Sequence, residues 1–313
     1  MTAGVLLAWA GLLAVAAPPM LRRAAWTERA PRLGVLTWQA ASVSMLGALV
    51  LSGVMLAVPA SGLSSGYLGL LTNCVMAARA LLSSSAGATA ACAGILAASA
   101  IAVWMSCVSC WHAHQAVRQR RAHGQALSLL GRPARHLGAV VLDHPIPTAY
   151  CLPGRDRRIV VSTGALEALD ETQLAAVLAH ERAHLTWRHH HAIAAATALG
   201  AAFPFVPLLR DAATAIPRLI EMAADDTAAH HTDRGTVASA LIALAAAPRG
   251  ALGAGGPAAL TRIRRLLRPA APLPRAVALA ALTTALALIT APPALALTAT
   301  SLADALPVCT AHR

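Results

Sequence analysis

Residues 170–186 read Asp-Glu-Thr-Gln-Leu-Ala-Ala-Val-Leu-Ala-His-Glu-Arg-Ala-His-Leu-Thr. Asp170 stands three residues before Gln173, which is the spacing of a capping box at the start of a helix. Apolar residues then recur at helical spacing, at Leu174, Val177, Leu178 and Leu185. The stretch therefore predicts a capped helix with one apolar face.

The same stretch contains an HExxH motif, from His180 to His184. A helix places residues i and i+4 on one face, about 6 Å apart along its axis, so two imidazoles there can bind one zinc ion. Glu181 follows the first histidine and can act as the general base toward a water molecule. The alternative is a pair of surface histidines with an incidental glutamate. The position of the motif on a capped, apolar-faced helix favours zinc.

The composition is that of a membrane protein. The chain has 313 residues, of which 57% are hydrophobic and 12% charged, against about 25% charged in average globular proteins. Four uncharged apolar stretches are long enough to cross about 30 Å of hydrocarbon: Gly4–Met20, Val35–Val58, Ala86–Trp111 and Ala276–Ala299. The first is not typical of a signal peptide, because its positive charges, Arg22 and Arg23, follow the apolar run.

The arginines predict the orientation. All 25 basic residues are arginine, and 23 of them lie either between the first two apolar stretches or between the last two. The positive-inside rule makes both segments cytoplasmic and puts the N-terminus and C-terminus outside. Topology thus accounts for the net charge of +12, and we expect no direct nucleic-acid binding, since few aromatic residues accompany the arginines. A basic, membrane-tethered nucleic-acid binder remains the alternative.

The chain divides into three parts. Residues 1–111 form three transmembrane helices with short connections, residues 112–268 a cytoplasmic domain, and residues 269–313 a proline-rich linker, a fourth transmembrane helix and a short tail. Inside the domain we predict three strands, the last two joined as a hairpin by the turn at Pro153-Gly154: Ala139–Leu142, Thr148–Leu152 and Arg158–Ser162.

The uncharged run Ala192–Leu209 is a special case. A single crossing of the membrane there would separate the HExxH motif from everything that follows, and Pro204 and Pro207 interrupt the run. We expect a helix buried in the domain or lying against the bilayer. A tight re-entrant hairpin is the less favoured alternative.

A catalytic zinc ion needs a third protein ligand, and a second helix is predicted over Arg218–His231, with Glu221 and Asp225 on one face. With this pattern the chain resembles the BlaR/MecR-type antirepressor membrane metallopeptidases, which are related to HtpX-type and CAAX prenyl-protein proteases. The resemblance covers about 130 residues and the three-plus-one arrangement of apolar stretches. Besides the HExxH motif it includes Tyr150–Gly154, Ile159–Ser162, Leu174–Ala179 and Glu221–Asp225.

The resemblance implies an α-helical multi-pass membrane protein with an inserted, mainly helical α+β protease domain of the zincin type. It implies Zn²⁺ as cofactor, with His180, His184 and Glu221 as ligands and Glu181 as catalytic residue. Asp225 would orient a ligand histidine, as metal sites usually require. The β-lactam-sensing members carry a large extracellular penicillin-binding domain after the fourth span. This sequence stops soon after Ala299, so we expect no direct β-lactam sensing.

The predicted function is a zinc-dependent metalloendopeptidase of the cell membrane. It would act on a cytoplasmic or membrane-associated protein, with a DNA-binding repressor as one candidate. The alternatives are a housekeeping quality-control protease and a non-proteolytic signalling scaffold, against which the intact Glu181 argues. An extended substrate is expected to add to the strand at Thr148, Ala149, Tyr150 and Cys151.

Further histidines lie near the predicted helices. His189, His190 and His191 follow the motif helix, and His230 and His231 lie at the end of the next one. Either group could supply a donor to the transition state. Solvated positions at helix ends are the favoured interpretation for both groups.

Overall fold

The computed structural model describes residues 2–57, 85–154, 157–245, 257–268 and 270–305. It is mostly helical (80%), with four long apolar helices and one small sheet. In chain order the helices are α1 (Thr2–Arg23), α2 (Trp26–Arg29), α3 (Pro31–Ala57), α4 (Ser85–Leu130), α5 (Thr163–Ala168), α6 (Glu171–Thr186), α7 (His189–Ala202), α8 (Pro207–His231), α9 (Arg234–Ala245), α10 (Pro257–Leu267) and α11 (Arg275–Ala305). The strands are β1 (Gly131–Ala134), β2 (Ala139–Leu142), β3 (Ala149–Leu152) and β4 (Arg158–Ser162).

Helices α1, α3, α4 and α11 are each long and apolar enough to cross a membrane. They contain the four predicted apolar stretches, except Val58, which lies with the second connection outside the described residues. Helix α4 continues well beyond the predicted end of its span and includes the basic run around Arg118. The next proline after the span is Pro133, so nothing earlier forces the helix to stop.

The sheet has the strand order β1-β2-β4-β3. β3 and β4 pair antiparallel as the predicted hairpin, while β2 and β4 are parallel. β1 was not predicted, because Gly-Arg-Pro-Ala has no strand pattern of its own; it pairs antiparallel with β2. Within the described sheet, β3 therefore lies at one edge, with its outer side open to an additional strand.

The capping box that the sequence predicts at the start of α6 is confirmed. The Asp170 carboxylate accepts a hydrogen bond from the Gln173 backbone N–H at 2.8 Å. The Gln173 side chain in turn accepts from the Asp170 backbone N–H at 3.1 Å. Helix α6 is packed into the domain, with Val177, Leu178 and Ala183 among its buried residues.

The run Ala192–Leu209 is not the single helix expected from the sequence. Helix α7 ends at Ala202, a short turn follows, and α8 starts at Pro207, which is well tolerated in the first turn of a helix because its missing N–H would have no helical partner there. The two helices form a hairpin that is close-packed at Gly200, where a Cβ atom would lie 2.7 Å from the Cβ of Ala213. The prolines therefore shape a turn between two helices.

The first half of α8 packs against the apolar helices. Leu208, Leu209, Ile216 and Leu219 of α8 are buried in one cluster with residues of α1 and α3: Leu6, Ala10, Leu13, Trp38, Ala41 and Met45. At the far end of α7, the indole N–H of Trp104 in α4 donates to the Ala202 carbonyl at 2.9 Å. The hairpin and the apolar helices therefore share one hydrophobic core.

The segment from α2 to the start of α3 lies against α8 and α10. Arg218 of α8 pairs with Glu28 at 2.6 Å. Arg32 donates to the Thr227 hydroxyl at 3.0 Å, and Arg265 donates to the Glu28 carbonyl at 2.7 Å. The arginine-rich first connection thus contacts the same helix that carries Glu221.

Candidate metal centre

The two histidines of the HExxH motif face each other across one turn of α6. The Nε2 atoms of His180 and His184 lie 3.1 Å apart, and the ring centroids 4.9 Å apart. Two imidazole nitrogens at this separation converge on one point beside the helix. This is the arrangement that the i, i+4 spacing predicts.

Helix α8 brings Glu221 to the same point. Its carboxylate oxygens lie 3.4 Å from His180 Nε2 and 3.5 Å from His184 Nε2. One ligand atom from each of the three residues lies within 4.8 Å of the other two. Two imidazoles and one carboxylate are a donor set of catalytic zinc sites, in which a fourth position stays open. The Glu221 side chain is 36% exposed, so solvent reaches the group, and the residues fit a metal ion.

Asp225, one turn after Glu221, supports the first histidine. Its carboxylate lies 3.1 Å from His180 Nδ1, and its side chain is only 1% exposed. The Nε2 atom of His180 therefore remains directed at Glu221 and His184. Ligand histidines usually have such a partner on the ring nitrogen that faces away from the metal, because it fixes the ring orientation.

Arg262 of α10 belongs to the site, although no motif in the sequence predicts it. Its guanidinium donates to both carboxylate oxygens of Asp225, at 2.7 and 2.6 Å, and pairs with Glu221 at 2.9 Å. In the sequence it is one of several arginines in a basic run. The available sequence signal was the apolar residue Leu266, which follows four positions later on the same helical face. Leu266 is buried in the structure, so this face of α10 points inward.

In the metal-free site, the ionisable side chains shift one another's pKa values. Burial alone would lower the pKa of His180, but hydrogen bonds to Asp225 and Glu221 outweigh it and raise the pKa to about 9. Burial and the neighbouring His180 lower the pKa of His184 to about 4. Burial would raise the pKa of Glu221, yet His180 and Arg262 bring it down to about 2. One proton on His180 and the Arg262 charge therefore face two ionised carboxylates.

Glu181 lies on α6 beside strand β3. Burial raises the pKa of its carboxyl group above the usual range. The Cys151 thiol is within hydrogen-bonding reach of that carboxylate, and burial followed by the charge of Glu181 raises the thiol pKa to about 12. The thiol therefore stays protonated near neutral pH and can donate to Glu181.

The four predicted substrate-binding residues occupy two kinds of position. Ala149, Tyr150 and Cys151 belong to β3 at the sheet edge, and all are partly exposed. Thr148 precedes the strand, and its backbone N–H donates to the Ser162 hydroxyl at 2.9 Å. Strand β3 therefore passes directly beside Glu181. Thr148 lies just before the start of the strand, where its hydrogen bond to Ser162 fixes the backbone.

The remaining histidines are placed differently from one another. His230 and His231 are exposed at the end of α8, as the sequence favours. His189 is not a solvated helix end: it is only 9% exposed, and its Nδ1 atom lies 3.3 Å from His184 Nδ1. Its neighbour His191 is exposed.

A capped HExxH helix, a second helix that supplies a glutamate, and an edge strand beside the site are the arrangement of a metallopeptidase. The sequence model described as peptidase family M48 matches residues 112–270. This is half of the chain, and the protein belongs to that family. Its members are proteases, typically dependent on zinc. No curated protein and no solved structure matches the chain.

We predict that Arg262→Ala strongly destabilises the metal-free protein. The substitution removes the bidentate partner of the buried Asp225 carboxylate, and breaking a buried ion pair costs on the order of 3 kcal/mol. Arg264→Ala is the matched control, because Arg264 is on the same helix but exposed. Thermal unfolding of both purified variants in detergent measures the difference. Equal melting temperatures would contradict the anchoring role of Arg262.

Proposed function

We propose that the protein is a membrane-embedded zinc metalloendopeptidase. The observation that carries this proposal is the convergence of His180, His184 and Glu221 within 4.8 Å, with the glutamate of the HExxH motif beside them. A structural zinc site is normally closed by four protein ligands and needs no base. Three ligands and an adjacent carboxylate favour catalysis over a signalling scaffold.

The three ligands would hold Zn²⁺, which at such sites acidifies water and polarises a carbonyl group. In this proposal Glu181 removes the proton from the attacking water. The same side chain then delivers that proton to the amine nitrogen as the peptide bond breaks. The raised pKa of Glu181 suits both steps, because it brings the proton affinity of the carboxylate closer to neutral pH.

Substrate binding would use the free edge of β3. An extended peptide can add to an open sheet edge through main-chain hydrogen bonds, and β3 runs past Glu181 through Cys151. A peptide held there by the backbone of Ala149–Leu152 would pass beside the base and the metal ligands. Recognition through main-chain atoms also leaves the side-chain sequence of the substrate broadly free.

We predict that the purified protein holds about one zinc ion per chain, since the three ligands form one site. His180→Ala, His184→Ala and Glu221→Ala should each lose it, because each removes one of only three protein ligands. Metal analysis of the dialysed variants measures the content, with His231→Ala as control, since His231 is exposed on the same helix as Glu221. Full zinc content in Glu221→Ala would show that another residue is the third ligand.

The proposed substrate is a cytoplasmic DNA-binding repressor. Regulated cleavage of this repressor would relieve the repression of its target genes. This finer role rests on the resemblance to the BlaR/MecR-type peptidases. General turnover of membrane proteins is the competing role for the same site. The activating signal would reach the site through the apolar helices or a partner, since α8 joins the two regions.

We predict that Glu181→Gln retains zinc and the fold but loses proteolysis by at least about 10²-fold, because the isosteric amide cannot accept the proton. Protein N-termini are compared in cells with the wild-type protein or this variant. One repressor that is cut only with the wild-type protein would support regulation, whereas many membrane-protein fragments would favour quality control. Identical sets of protein N-termini in the two kinds of cells would contradict the proposed proteolytic activity.

The proposed topology places the protease domain in the cytoplasm and both termini outside. The charge distribution supports it, because 23 of 25 arginines lie either between the first two or between the last two of the four predicted apolar stretches. The contacts of Glu28 with Arg218 and Arg265 also support a common side for these two segments.

We predict that, in a variant without native cysteines, single cysteines at Ser64 and Asp304 react with a membrane-impermeant reagent in intact cells. A cysteine at Arg264 should not react, because the topology puts the domain inside. Arg264 is exposed, so protection there reports the membrane and not burial. Permeabilised cells provide the control, in which position 264 should react. Labelling of position 264 in intact cells would place the domain outside.

A further inference from the structure

We propose that His189 is a positioning residue for His184. It would accept a hydrogen bond from the Nδ1–H of His184 and so hold the Nε2 atom of that ring toward the metal. This inference rests on the proposed zinc site and adds a residue to it. The sequence favours a solvated helix end at this position, but the structure buries His189 against the ligand.

The position of His189 requires a break in the helix. In a continuous helix, residues five apart point in directions roughly 140° apart, so His189 could not face His184. Helix α6 ends at Thr186, and Arg188 then adopts a left-handed conformation with φ 51° and ψ 40°. Helix α7 starts at His189, which returns toward the site.

The conformation of Arg188 is unusual for its residue type. It is the non-glycine residue with positive φ among the described residues. A side chain is strained in the left-handed region, and such strain persists where the surrounding structure requires it. Next to it, the Arg32 guanidinium lies 4.2 Å from the centre of the Trp187 ring, which ties the turn to α3.

The contacts of His184 assign a different role to each ring nitrogen. Its Nε2 atom faces His180 Nε2 at 3.1 Å and Glu221 at 3.5 Å. Its Nδ1 atom faces His189 Nδ1 at 3.3 Å, and the two rings are perpendicular, at 89°. To bind a metal through Nε2, neutral His184 must carry its proton on Nδ1, so His189 must be the acceptor.

His189 is suited to accept this hydrogen bond. Its ring is buried against His184, and a neutral imidazole accepts a hydrogen bond at one nitrogen while it carries a proton on the other. His189 can therefore accept at Nδ1 with its own proton on Nε2. The two ligand histidines thus have different supports: a carboxylate, Asp225, behind His180 and a neutral imidazole behind His184.

The test compares His189→Ala with His189→Asn in the full-length protein in detergent. The dissociation constant for zinc is measured by competition with a chelator of known affinity. Loss of a residue that orients a ligand typically costs about 10- to 100-fold in metal affinity, and we expect this in His189→Ala. His189→Asn should recover most of the affinity, because its amide oxygen can accept from His184 Nδ1–H. Exposed His191→Ala is the control.

A second pair of variants tests the turn. Arg188→Gly should keep wild-type zinc affinity, because glycine adopts the left-handed conformation without strain. Arg188→Val should weaken zinc binding as His189→Ala does, because a β-branched residue disfavours that conformation and the turn would no longer direct His189 to the site. The visible absorption spectrum of the Co²⁺-loaded protein should change in both weakened variants.

The outcomes separate the possibilities. Unchanged zinc affinity in His189→Ala would overturn the positioning role while leaving the proposed zinc site intact. An equal loss in His189→Ala and His189→Asn, together with a lower melting temperature of the metal-free protein, would mean that His189 only supports the fold. A wild-type protein with no zinc affinity would overturn the proposed function as well.

Discussion

Three donor atoms on two helices must meet at one point, and the packing of α8 makes this meeting possible. The HExxH motif fixes only the two imidazoles on α6. Glu221 reaches them because the first half of α8 is buried against α1 and α3, with Leu208, Leu209 and Leu219 almost completely buried. Burial of a leucine side chain contributes about 1.5–3 kcal/mol, so several together hold the helix firmly. The apolar core thus determines where the third ligand lies.

Charge compensation organises the site before a metal ion binds. Glu221 and Asp225 are ionised, and they face the Arg262 guanidinium and a proton on His180. Arginine suits this place better than lysine, because its planar fork can bind both oxygens of one carboxylate and still reach a second. A metal ion would therefore replace a proton in a site whose carboxylates are already held apart.

Local patterns in the sequence predicted those features that depend on neighbouring residues. The capping box of Asp170 and Gln173, the HExxH helix and the β3–β4 hairpin each follow from spacing within a few residues. Strand β1 could not be predicted, because Gly-Arg-Pro-Ala becomes a strand only through pairing with β2. Arg262 was missed and His189 was interpreted as a solvated helix end, because the positions of both side chains depend on tertiary contacts. The prolines of the uncharged run indicated an interruption, but only the packing of α7 on α8 shows that it is a turn.

The distribution of the site along the chain has a consequence for synthesis. Helices α1 and α3 leave the ribosome first, so they are synthesised before α8 exists to pack against them. Arg262, which neutralises Asp225 and Glu221, emerges last of the residues that form the site. The complete constellation is therefore assembled only after the domain has been translated. A nascent chain therefore has no finished centre with which to cleave itself or neighbouring proteins.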